Sequence, residues 1–95
     1  MVSMVSTLWV AELKISPRTA EKISQVHGLS ADEVRESVEC VSGLAFTMDD
    51  HPERGTRAIV EVFIRKRRCL VVLYARQDDA FGDAWNLGSA YPIND

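Results

Sequence analysis

Hydrophobic spacing changes several times along this chain, and each change marks an element. From Leu8 to Ile15, Trp9, Ala11, Leu13 and Ile15 alternate with Glu12 and Lys14. That period of two predicts a strand with one wet face, and places Trp9 with the core. Ser16 followed by Pro17 is a helix start: a hydroxyl N-cap, then proline where its missing N–H is harmless. The helix is expected to run to about Val26 and to stop at His27-Gly28, where glycine accepts the left-handed conformation. Ser30 with Glu33 forms a capping box, and Asp32 and Glu33 supply acid to the first turn of a second helix. Val34, Val38 and Val41 give that helix its apolar side, with an end expected near Gly43.

Period two then returns. Leu44 to Met48 is a short strand candidate, followed by a charged loop from Asp49 to Arg57. Arg57 to Arg65 and Cys69 to Ala75 are rich in β-branched and aromatic residues and flank the polar stretch Lys66-Arg67-Arg68, so they are expected to pair as a hairpin. Gln77 to Asp83 reads as a loop, with Gly82 for flexibility. Ala84 to Tyr91 alternates Trp85, Leu87, Ser89 and Tyr91 against smaller residues until Pro92 ends the strand. The order β-α-α-β-β-β-β predicts an α+β fold in two layers. Two N-terminal helices would pack on a mainly antiparallel sheet of four to five strands.

Composition agrees with an ordinary globular domain: 95 residues, 46% hydrophobic and 26% charged. No stretch reaches membrane-spanning length, and the start lacks the basic and apolar regions of a signal peptide. Cys40 and Cys69 lie far apart in apolar surroundings with no metal-ligand spacing, and both are expected to be buried free thiols in a reducing cytoplasm. No metal and no other cofactor is expected.

The distribution of charge changes the picture more than its total. His51 to Arg76 holds seven basic side chains against two acidic, a local balance of +5, and the rest holds four against twelve, so that the whole chain sums to −3. A basic segment on an acidic protein fits a polyanion-binding face. Polar groups expected on or near the sheet are His51, Glu53, Arg54, Arg57, Tyr74, Arg76, Ser89 and Tyr91. Cleavage of RNA by its own 2′-hydroxyl needs a base, cations for the phosphate and an acid for the leaving oxygen. His51 or Glu53 would take the proton, Arg57 with Arg76 would hold the phosphate, and Tyr91 would stack on a base or donate a proton. Arg54, Arg65, Lys66, Arg67 and Arg68 would bind RNA. Each feature has a plainer reading beside this one. His51-Pro52 can be only a turn, Arg65 to Arg68 a solvated hairpin tip, Trp9, Trp85 and Tyr91 packing residues, and His27 helix-end punctuation.

Some of these segments resemble a known group. His27-Gly28-Leu29-Ser30, with Glu33-Val34 after it, is similar to a histidine–glycine stretch that precedes a helix in the BrnT toxins. Asp50-His51-Pro52-Glu53 with Arg57 resembles that family's histidine–glutamate–arginine segment at a different spacing. Gly88-Ser89-Ala90-Tyr91-Pro92-Ile93 is similar to the closing strand of small bacterial ribonuclease toxins of the RelE-like class. The resemblance covers roughly residues 8 to 93. It implies the toxin of a type II toxin–antitoxin pair: an RNA-cleaving domain, free or ribosome-dependent, restrained by a cognate antitoxin in a hetero-oligomer, or else a homodimer. Such toxins are usually basic, and this chain is acidic. The competing expectation is a non-catalytic module on the same fold that binds a protein partner or regulates with one.

Overall fold

In the computed structural model, residues 7–53, 55–76 and 82–93 are described. They form β1 (Glu12–Lys14), α1 (Pro17–His27), α2 (Ala31–Val38), β2 (Ala45–His51), β3 (Gly55–Ile64), β4 (Arg67–Ala75) and β5 (Ala84–Pro92). The sheet order is β1-β5-β4-β3-β2. Consecutive strands from β2 to β5 pair antiparallel, and β1 joins β5 in parallel, so the chain is an α+β fold with a mixed sheet. Among the described residues no helix is long and apolar enough to cross a membrane.

Both helix starts follow from local chemistry. Ser16 Oγ accepts the Thr19 N–H, and Pro17 opens α1. Gly28 closes that helix at φ 70°. In α2, Ser30 Oγ accepts the Glu33 N–H while the Glu33 carboxylate accepts the Ser30 N–H, which completes the capping box. The helices bury Ile23, Val34 and Val38 against Ala58, Val60, Val62 and Ile64 of β3 and against Cys69, Val71 and Leu73 of β4. Trp85, Leu87 and Ala90 of β5 continue this core.

Four expectations are corrected by tertiary contacts. The first strand is three residues long, not eight: Leu8, Val10 and Leu13 face inward, and Trp9 is 43% exposed. The chain bends at Ala11, because Val10 bridges to Glu39 while Leu13 pairs with Trp85. The second helix ends at Val38 rather than near Gly43. Glu39 turns extended to make that bridge, and its carboxylate accepts the Leu13 N–H at 3.0 Å. Cys40, at φ 58°, is therefore exposed, whereas Cys69 is buried; both are free thiols. The charged loop is mostly strand, since Asp49, Asp50 and His51 lie in β2 and pair with Arg57, Thr56 and Gly55.

One irregularity shapes the sheet. The β4–β5 register shifts between Val72 and Leu73, with Leu73 opposite Leu87 and Val72 opposite Ser89. Gly88 is the extra residue of this bulge, so the expected alternation through Ser89 and Tyr91 breaks and Ala90 takes the core position. A Cβ at Gly88 would overlap the edge of the Tyr74 ring, 2.7 Å from Cδ2 and nearer still to Cε2. Only glycine leaves room for that ring edge against the strand.

Candidate nucleic-acid interface

The face of the sheet turned away from the helices carries the polar groups. Alternation puts Arg57, Ile59, Glu61 and Phe63 of β3 there, beside Asp49 and Thr47 of β2 and Tyr74, Val72, Leu70 and Arg68 of β4. Among the described residues no helix covers this face.

At the end of the sheet nearest the β2–β3 turn, Arg57 is the hub. Its Nη2 lies 2.6 Å and its Nε 2.8 Å from Asp49 Oδ2, a contact set by the direct Asp49–Arg57 pairing across the hairpin. Tyr74, opposite Arg57 on the other side, adds a second hydrogen bond to its side chain. The Asp49 carboxylate first, and Tyr74 second, push the Arg57 pKa upward, so the guanidinium stays charged. In the same hairpin Thr56 Oγ1 donates to Asp50 Oδ1 at 3.0 Å. Pro52 and Glu53 are exposed in the turn, and Arg76 follows the last residue of β4, two positions past Tyr74.

Of the five residues expected to be catalytic, four therefore share this end of the sheet: His51, Glu53, Arg57 and Arg76. Tyr91 does not. It pairs with Leu70, four residues before Tyr74 on β4, which is about 13 Å along the strands. There its ring packs on His27, at 5.9 Å between centroids. The expected role of Tyr91, stacking on a base or donating a proton beside Arg57 and Arg76, is not supported by this placement, because the strand direction carries it away from them.

The expected RNA-binding residues sit at the opposite end, apart from Arg54, which lies outside the described residues. Arg65 and Lys66 form the two-residue turn between β3 and β4, both at positive φ (54° and 67°), the type I′ pattern. Arg65 is tied to Glu33 of α2 through Nε, and through Nη2 at 2.9 Å from Oε1. Arg68 is paired with Glu61 on the open face. Lys66 and Arg67 are exposed. The Ser30 N–H first, and Arg65 second, hold the Glu33 pKa below its ordinary value.

A separate cleft of about 700 Å³ lies between β1, α2 and β5, lined by Glu12, Lys14, Ser16, Arg35, Glu39 and Asn86 among others. Two of its polar groups, Arg35 and Glu39, are engaged in assembly. Arg35 is 3.9 Å from Glu39 and 3.5 Å from Asp32, and Glu39 holds the Leu13 N–H. This seam joins α2 to β1. Two residues on the open face escaped the sequence reading, Asp49 as the partner of Arg57 and Phe63 as an exposed aromatic. Both are visible once register is known: Asp49 precedes Arg57 by eight across a turn, and Phe63 alternates with the inward Val62 and Ile64.

The geometry defines a small α+β domain, two helices on a five-stranded mixed sheet, with ion pairs spread over its open face. No protein-family model, curated protein or solved structure matches the chain.

Proposed function

We propose that the chain is an RNA-cleaving toxin of a toxin–antitoxin pair, working on the open sheet face at its Arg57 end and restrained by a cognate antitoxin. The observation that supports this most is Arg57 seated between Asp49 and Tyr74 on an uncovered face, with Glu53 and Arg76 at the same end. Arginine recognises phosphate through its planar fork, and a charge held in place by neighbours needs little reorganisation as the transition state forms. His51 or Glu53 accepts the 2′-hydroxyl proton in this reading. Asp49 competes with the phosphate for Arg57, so RNA must displace a carboxylate.

That competition favours a second reading, a non-catalytic module that binds a protein partner. Arg57, Arg65 and Arg68 each already face a carboxylate, which lowers the net attraction for a polyanion. RNA cleavage by the purified chain, with and without ribosomes, separates the two. The toxin reading expects cleavage that falls on the order of 100-fold in Arg57→Ala, through loss of a preorganised charge, and on the order of 100-fold in His51→Ala, through loss of proton transfer. Asp49→Asn should tighten RNA binding by releasing Arg57. A wild-type chain that cuts nothing under either condition leaves the binding module. Cleavage that survives both substitutions moves the active site elsewhere.

A further inference from the structure

We infer that the outer edge of β2 pairs with the same edge of a second copy of this chain, antiparallel about a two-fold axis at Thr47, so that one sheet runs through both copies. This does not depend on the RNA reading above, because pairing edge to edge covers neither face of the sheet.

The two edges of the sheet are finished differently. β1 is three residues long and its outer side is occupied: the Glu39 carboxylate accepts the Leu13 N–H, and Cys40 donates its N–H to the Val10 carbonyl. β2 is seven residues long, and among the described residues nothing pairs with its outer side. Its register with β3 runs without a shift from Ala45 to His51, so no bulge twists the edge away. It contains no proline and no lysine, the residues that most often keep an edge from pairing. The two acidic residues it carries are already bonded within the hairpin, Asp49 to Arg57 and Asp50 to Thr56. A row of free N–H and C=O groups of this length is a template for another strand.

The side chains say which strand. Phe46 and Met48 lie on the helix side of the sheet, beside Val60 and Ala58. The helices pack chiefly on β3 and β5, which leaves Phe46 half-buried at the margin of the core and Met48 44% exposed beyond it. Paired about Thr47, Phe46 lies opposite Met48 of the second copy, and Met48 opposite Phe46 of that copy. A thioether–aromatic contact is made twice. Thr47 meets Thr47, a favourable cross-strand pair, and Ala45 meets Asp49. A two-fold axis sets one residue opposite itself, so the other registers can be tried in turn. An axis at Met48 puts Phe46 against Asp50, an axis at Asp49 puts two carboxylates opposite each other, and an axis at Phe46 leaves Met48 beyond the paired strands. The strand is complementary to itself in one register, which is what a two-fold interface requires.

The test is sedimentation equilibrium of the full chain over a series of concentrations, which should show a monomer–dimer equilibrium. Thr47→Asp puts two carboxylates opposite each other at the axis and should weaken the dimer on the order of 100-fold. Thr47 is exposed, so circular dichroism should show the fold kept. Met48→Ala should weaken the dimer about 10-fold through loss of both thioether–aromatic contacts, and Phe63→Ala, far from the seam, should leave it unchanged. Cross-linking reads the register directly and decides the matter should Thr47→Asp disturb the hairpin. With Cys40→Ser as background, Thr47→Cys sets two thiols opposite each other, with Cβ atoms about 5 Å apart, and oxidation should trap the dimer. Ala45→Cys in the same background should not be trapped, because its two copies lie about 13 Å apart along the strands. A chain that stays monomeric at every concentration overturns the inference. So does a dimer that keeps its affinity in Thr47→Asp, or one trapped through position 45 and not through 47.

Discussion

The two faces of the sheet are built from the same strands but obey different rules. On the covered face β3 presents Ala58, Val60, Val62 and Ile64, all buried against the helices. One residue along in each case, the open face presents Arg57, Ile59, Glu61 and Phe63. The covered face is held by area removed from water, which is non-directional and adds with each residue. The open face is held by paired charges at defined registers: Asp49 with Arg57 and Glu61 with Arg68. Exposed pairs of this kind contribute little to stability, because water screens them and ordering long side chains costs entropy. Stability therefore resides mainly on the covered face.

Substitution on the covered face should have the largest effect on stability. Leu73 is fully buried on the inward side of β4. Leu73→Ala should destabilise by about 3 kcal/mol through lost transfer energy and a residual cavity, measured by urea denaturation. If it costs no more than an open-face change, the division between faces fails.

Gly88 tests the point where the faces meet. Gly88→Ala should cost about 2 kcal/mol, because the new methyl overlaps the Tyr74 ring and must push it aside. In a Tyr74→Ala background that cost should vanish. A double-mutant cycle with no coupling would show that the ring does not rest on the glycine.

The helix start comes next. Ser30→Ala should cost about 1 kcal/mol, the usual loss for an N-cap hydroxyl, read as a shift in denaturation midpoint. The same box has a pH signature. Glu33 has a folded pKa below its unfolded value of 4.5, so its stabilisation is complete above that value and is lost as pH falls through the lower folded one. Glu33→Gln should flatten this part of the acid limb. An unchanged limb would mean that neither the Ser30 N–H nor Arg65 prefers the carboxylate.

The smallest effect belongs to the open face. Phe63→Ala should change stability by no more than about 0.5 kcal/mol, since the ring is already in solvent. A larger loss in thermal denaturation would make Phe63 a packing residue and remove the contrast between the faces.

Much of this fold is legible in the chain because the deciding interactions are local. Ser16-Pro17, His27-Gly28 and the Ser30–Glu33 box define helix ends through hydrogen bonds spanning three to five residues. The β3–β4 hairpin is legible for the same reason, as two β-rich runs beside a short polar stretch, but its turn is Arg65-Lys66, and Arg67 and Arg68, expected at the tip, pair within β4. The extent of β1 and the end of α2 were not, because they depend on each other, through Val10 with Glu39 and the Glu39 carboxylate with Leu13. Those contacts join residues more than 25 positions apart, and no local pattern encodes them.

The candidate site divides along the same line. Composition and order alone single out the basic segment from His51 to Arg76 and its arginines. Only strand pairing decides which of them act together, because alternation gives each residue a face and register gives it a neighbour. Register sets Asp49 and Tyr74 on either side of Arg57, and carries Tyr91 to the far end of the sheet beside His27. The bulge at Gly88 moves Ala90 into the core and brings a residue without a side chain against the edge of the Tyr74 ring. The sequence determines the elements and the inventory of charges; the tertiary structure decides the neighbours, since a side chain's partner across a sheet is a property of two strands and not of one.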